Sequence, residues 1–195
     1  MRVVCVSVVS CVAVLAGGLL AGAPAALADG PLFDGLSSPL IDEVRLGLLA
    51  HSIEGSNDEG GADINAEVLF RKPTASYGNP VLDVALRPRI HLGVSLNTSG
   101  ETNQLYAGLT WDVKLAPRWS VELSAGGSLH DGPTESGLPD SYGCPVNFRE
   151  SASLGYAIDE RWTIYGTLAH MSNANACDQN TGITSVGVRL GYKLK

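Results

Sequence analysis

Residues 104–128 read Gln104-Leu105-Tyr106-Ala107-Gly108-Leu109-Thr110-Trp111-Asp112-Val113-Lys114, then Leu115-Ala116-Pro117-Arg118, then Trp119-Ser120-Val121-Glu122-Leu123-Ser124-Ala125-Gly126-Gly127-Ser128. Successive side chains of an extended backbone leave opposite faces. In the first half Leu105, Ala107, Leu109, Trp111 and Val113 share one face, against Gln104, Tyr106, Thr110, Asp112 and Lys114 on the other. In the second, Trp119, Val121, Leu123 and Ala125 oppose Ser120, Glu122, Ser124 and Ser128. The pattern predicts two antiparallel strands joined by a tight turn, each with one apolar and one polar face.

The same alternation extends in both directions. Runs near residues 44–54, 62–71, 86–97, 104–115, 119–129, 146–157, 162–172 and 184–194 give eight strands separated by Gly, Asn, Asp and Pro clusters. A soluble sandwich or carrier-type barrel would bury the apolar faces. Three features favour the inverted arrangement, an all-β, eight-stranded antiparallel transmembrane barrel with lipid outside. The strand number is even, and each run has the length of about ten residues that crosses a bilayer at a tilt. Connections 115–118 and 158–161 are short, whereas 130–145 and 173–183 are long. Trp111, Trp119, Tyr156, Trp162 and Tyr192 lie on the apolar parity near the short-turn ends, as an interfacial aromatic girdle requires.

The amino terminus carries Arg2, an apolar run from Val3 to about Leu20, and Ala26-Leu27-Ala28. This is the pattern of a secretory signal peptide, residues 1–28, ahead of a barrel domain over 29–195. Removal of the leader takes Cys5 and Cys11 and leaves Cys144 and Cys177, which are expected to pair in an oxidising compartment. The net charge of −7 argues against nucleic acid as a partner. None of His51, His91 and His130 has metal-ligand spacing, so neither metal nor cofactor is expected. Oligomeric state is not readable.

Polar residues on a lipid-facing parity are costly and so mark function. Glu150 interrupts Val146, Phe148, Ala152 and Leu154; His170 and Ser172 close the seventh run, and Thr184 opens the eighth. If Ile158 and Trp162 close a three-residue turn, paired positions across it sum to 320, and Glu150 falls opposite His170. Carboxylate, imidazole and hydroxyl then stand together as Glu150, His170 and Ser172, the components of a serine esterase: nucleophile, base and a group that orients the base. Asn173 and the loop after it are candidates for oxyanion donors. The bland alternative is a strand leaving the membrane at headgroup depth.

His170-Met171-Ser172-Asn173-Ala174, followed by Asn180-x-Gly182 and a final Gly191-Tyr192 strand, resembles the PagL-type lipid A 3-O-deacylases, outer-membrane acyloxyacyl hydrolases. The closing Ser185-Val186-Gly187-Val188-Arg189-Leu190-Gly191-Tyr192 also resembles the carboxyl-terminal signal of outer-membrane barrels, although here Leu194-Lys195 follow. The resemblance implies a site facing the outer leaflet that hydrolyses the ester-linked 3-hydroxyacyl chain at the 3-position of lipid A, within lipopolysaccharide and surrounded by outer-membrane lipid. It implies Ser172 as nucleophile, His170 as base, and Asn173 and Asn175 beside the oxyanion. Two departures stand out. The family's best-known enzyme takes its acid from the last strand, where this chain has Thr184-Ser185, so Glu150 is the expected substitute; the alternative is a weak or inactive member. Asn175 replaces a frequent Gly, and Asn tolerates a left-handed backbone. Two readings of other classes are a non-catalytic barrel whose outer loops bind ligands and a soluble carrier of hydrophobic molecules.

Overall fold

A computed structural model of the chain describes residues 40–54, 59–138 and 140–194. The expected signal peptide lies outside the described residues. Eight strands run β1 Ile41–Ala50, β2 Ala62–Phe70, β3 Arg89–Asn97, β4 Gln104–Lys114, β5 Trp119–His130, β6 Val146–Ala157, β7 Trp162–Ser172 and β8 Ile183–Lys193, with one short helix, α1, at Pro80–Ala85. Every neighbour pairs antiparallel, and β1 pairs with β8 to close a barrel without edges.

The barrel is inverted relative to a soluble one. Leu46, Leu48 and Phe148 are 61%, 62% and 59% exposed on the outside, whereas Arg45, Glu67 and Arg189 are 1%, 5% and 2% exposed on the inside. Fully burying one such apolar side chain is worth about 1.5–3 kcal/mol, so a surface of this kind is stable only against hydrocarbon. The aromatic residues stack at the short-turn end. Trp119 packs on Tyr156 with ring centroids 4.9 Å apart, and Trp162 on Tyr192 at 4.6 Å.

Ion pairs fill the interior. Arg45 donates from Nε to Glu43 (2.8 Å) and from both terminal nitrogens to Glu122 across the lumen (2.7 and 2.9 Å). Arg89 joins Glu43 and Glu122, each at 2.8 Å, and Arg189 meets Glu67 at 3.0 Å. Arg45 and Arg149 also lie over the Tyr165 and Tyr106 rings, 4.1 and 3.7 Å from the centroids. Such charges are tolerable in a water-poor interior only because each has a counter-charge or ring against it.

Three details differ from the sequence-based expectation. β1 begins and ends earlier than the run at 44–54; beyond it His51 is 4% exposed and Ser52, with φ of 47°, turns the chain. The 71–88 connection, on the short-turn end, is the longest between strands, and 98–103, on the loop end, is short. Within 71–88, Asn79 caps α1, its side chain accepting from the Val81 and Leu82 amides (2.9 and 3.3 Å), with Pro80 in the first turn. Trp111 reaches this segment and donates to the Ala85 carbonyl at 3.0 Å.

At the loop end His51 donates to Asp63 (2.8 Å) and Glu59 (2.9 Å). Both partners are carboxylates, so both ring nitrogens must carry protons. Burial opposes the charge, but the Asp63 and Glu59 hydrogen bonds outweigh it and hold the pKa up at about 9.

Two outcomes follow from the interior. Arg45→Met leaves Glu43 and Glu122 to share Arg89 and Glu67 to Arg189 alone, and is expected to lower the unfolding free energy by about 3–5 kcal/mol, read by denaturant titration of the refolded barrel. For His51, raised above its unfolded value of about 6.5, the stabilisation is complete below that value and disappears as pH rises through about 9. Protection factors at residues 51–54 and 59–63, corrected for the intrinsic rise of amide exchange with pH, are therefore expected to fall between pH 7 and 10, and His51→Gln to remove that fall.

Candidate active site

Strand register assembles the site. Ile158 N–H donates to the Trp162 carbonyl (2.9 Å), closing the tight turn, and this sets Glu150 opposite His170 and Phe148 opposite Ser172. On the other side His170 pairs with Thr184. Glu150, His170 and Thr184 thus form one row across β6, β7 and β8 on the outer face, with Ser172 one rung nearer the loops.

The imidazole leans toward β8. His170 Nδ1 lies 2.7 Å from Thr184 Oγ1, and Thr184 is 6% exposed. The opposite ring edge sits over Gly182, where a Cβ would come within 2.8 Å of Cε1 and 3.3 Å of Nε2. Gly182 lies one step beyond the Met171–Ile183 pair, level with Ser172. The ring edge therefore lies at the rung of Ser172, and any larger residue at 182 would displace it. Glu150 is exposed and makes no ion pair or hydrogen bond among the described residues, and the Ser172 hydroxyl likewise makes none. Register brings the carboxylate beside the imidazole, but the bond to Nδ1 belongs to Thr184.

The loop after Ser172 is braced from below. The Asn173 amide N–H donates to Asn180 Oδ1 (2.7 Å), and its Nδ2 donates to the carbonyls of Tyr142 (2.7 Å) and Gln179 (2.5 Å). Asn173, expected to face an oxyanion, has thereby committed its donors to holding the loop. Ala174 and Asn175 follow with φ of 52° and 61°. The left-handed turn therefore persists with Asn in place of Gly. Neither of their backbone N–H groups has an acceptor among the described residues, and both residues are exposed.

The 131–145 loop supports this turn. The disulfide between Cys144 and Cys177, with Cα atoms 6.0 Å apart, links the two loops. Gly143, with φ of 71°, packs so closely that a Cβ there would collide with the Gln179 carbonyl. Below it Tyr142, Met171 and Ile183 form a small buried cluster. The sequence marked the cysteines and Asn180 but not Gly143 or Tyr142; only the contact between two loops distant in sequence reveals them. Among the described residues no group of His, Cys, Asp or Glu forms a metal cluster.

An inverted eight-stranded barrel with an apolar exterior and a charged interior belongs to the class of integral outer-membrane-type barrels. The family model described as lipid A 3-O-deacylase (PagL) matches residues 91–193, more than half of the chain, and the chain belongs to that family. The crystal structure of the outer membrane enzyme PagL is similar, with a TM-score of 0.56 and 14% identity, over 77% of this chain and 98% of that one. Neisserial surface protein A also matches, with a TM-score of 0.55 and 9% identity, over 78% and 96%. At these identities the two structures speak for the fold alone. No curated protein sequence matches the chain.

Gly143→Val is expected to unseat the 173–176 turn while leaving the barrel closed, read as loss of activity with unchanged heat-modifiable mobility on gels. Reduction of the disulfide, whose cysteines are 33 positions apart, is expected to cost about 3–4 kcal/mol by the chain-entropy relation, read as a lower denaturation midpoint.

Proposed function

We propose that the chain is an outer-membrane serine esterase that removes the ester-linked 3-hydroxyacyl chain at the 3-position of lipid A, with its site at the outer leaflet. The observation that carries this reading is the polar row Glu150, His170, Thr184 beside Ser172 on a surface otherwise built for hydrocarbon, in a chain of the lipid A 3-O-deacylase family. A lipid substrate held in the bilayer meets the barrel from the outside, and its acyl chains run along exposed Phe148, Val146 and Leu168.

In the reaction, Ser172 Oγ bonds to the ester carbonyl carbon as its proton passes to His170 Nε2. The carbonyl oxygen becomes an oxyanion, and the Ala174 and Asn175 amides supply donors to it. His170 then protonates the sugar oxygen as the ester C–O bond breaks, leaving an acyl-serine. Water, deprotonated by the same nitrogen, attacks that ester; the fatty acid leaves and Ser172 regains its proton. Hydrogen bonds of this kind are often loose until substrate arrives, which is consistent with an unengaged Ser172 hydroxyl here.

Lipid A from cells expressing the wild-type chain is expected to lose the mass of one 3-hydroxyacyl group. Ser172→Ala is expected to reduce that loss by at least ~10³-fold; identical spectra from the two strains would reject the reading. The neutral hydroxyl at His170 Nδ1 favours a second one, a non-catalytic barrel whose outer loops bind ligands, in which Ser172→Ala changes nothing.

A further inference from the structure

We infer that the two tasks of a triad carboxylate are divided here between the strands flanking β7: Thr184 fixes the orientation and tautomer of His170, and Glu150 supplies the negative charge. This rests on the esterase reading of Ser172 and His170 and goes beyond it in assigning what replaces the acid.

The orienting task falls to Thr184 on geometry. Its Oγ1 lies 2.7 Å from Nδ1, and neither that hydroxyl nor the ring has another hydrogen-bond partner among the described residues. Thr184 is held by strand pairing to His170 and by the Ile53 amide, which donates to its carbonyl at 2.8 Å. For Nε2 to accept the serine proton it must hold a lone pair, so the ring's single proton must sit on Nδ1. Thr184 Oγ1 is then an acceptor, and a neutral hydroxyl can accept a hydrogen bond from Nδ1–H, although a weaker one than a carboxylate accepts. A β-branched side chain with few rotamers, 6% exposed, presents that oxygen in a fixed place.

A hydroxyl cannot offset the positive charge that the ring gains when Ser172 attacks. Glu150 can. It is the direct cross-strand partner of His170 on the same face, a position that brings Cβ atoms to about 4.5–5.5 Å. No described residue neutralises it. An exposed, uncommitted carboxylate on the neighbouring strand is placed to attract the positive charge that forms on the ring during attack. Ala125, the partner of Glu150 on β5, adds no opposing charge.

The experiment is nitrogen-detected NMR of ¹⁵N-histidine-labelled full chain refolded in detergent, with His170→Gln to assign the signal, alongside lipid A deacylation kinetics. The wild type is expected to show the Nδ1–H tautomer. Thr184→Val is expected to mix the tautomers and to lower kcat by ~10–100-fold with little change in KM, and Thr184→Ser to restore both. Glu150→Gln is expected to leave the tautomer alone and to lower kcat by ~10–100-fold with little change in KM. An Nε2–H tautomer in the wild type, an unaltered spectrum in Thr184→Val, or an unchanged kcat in Glu150→Gln would overturn the division. If the wild type deacylates nothing, the esterase reading falls and the role of Glu150 with it, while the spectra still decide that of Thr184.

Discussion

Arg45 grips Glu122 with two parallel hydrogen bonds across the lumen, and the rest of the architecture depends on that contact. It ties β1 to β5, opposite walls of the barrel, and with Arg89, Glu43 and Glu67 it makes the centre a charged plug rather than a pore or an oily core. Desolvated charges of this density stay folded only when they are paired with one another. Once every second residue of each strand is committed to the plug, the alternate residues have to face outward. The apolar exterior is therefore a consequence of the ionic interior, and it defines the setting in which a polar exterior residue is exceptional.

Against that exterior, catalysis becomes a question of pairing. A strand pair aligns side chains on one face in rows perpendicular to the strands. A single tight turn at 158–161 sets which residues share a row, and it sets Glu150 beside His170 some eight residues away from the turn. The β7–β8 pairing adds Thr184 on the other flank. His170 and Ser172 stand two positions apart on one strand, and the ring leans over Gly182, which is level with Ser172. On the proposed esterase reading the barrel wall needs no cleft, since the bilayer holds the substrate against it.

The loops perform the part that strands cannot. Oxyanion donors must be backbone or side-chain N–H groups free of other acceptors, and a strand spends its amides on its neighbours. The left-handed turn at Ala174 and Asn175 leaves two backbone N–H groups without an acceptor among the described residues, at a cost in backbone strain that the surroundings must offset. Asn173, the disulfide and the close approach of Gly143 to Gln179 are those surroundings. Each acts on the turn from a segment more than thirty residues upstream or from its own far side.

Alternation was enough to read eight strands, the aromatic girdle and the strand number and lengths pointed to their inverted orientation, and turn length gave the even-sum register that joins Glu150 to His170, because these are local properties of the chain. The same reading pointed to Ser172 and His170 and to a left-handed Asn175. It did not reach α1, whose signal is one Asn-Pro cap in a segment read as connection, nor the inward turn of His51, which depends on Asp63 and Glu59 being present to receive it. It also gave Asn173 a donor to spare. Which side of His170 carries the hydrogen bond, which amides remain unpaired and which glycine makes room for the ring were decided only when β8 and the two long loops came against β7, since a hydrogen bond goes to whichever acceptor folding brings within about 3 Å and not to the one with the most suitable chemistry.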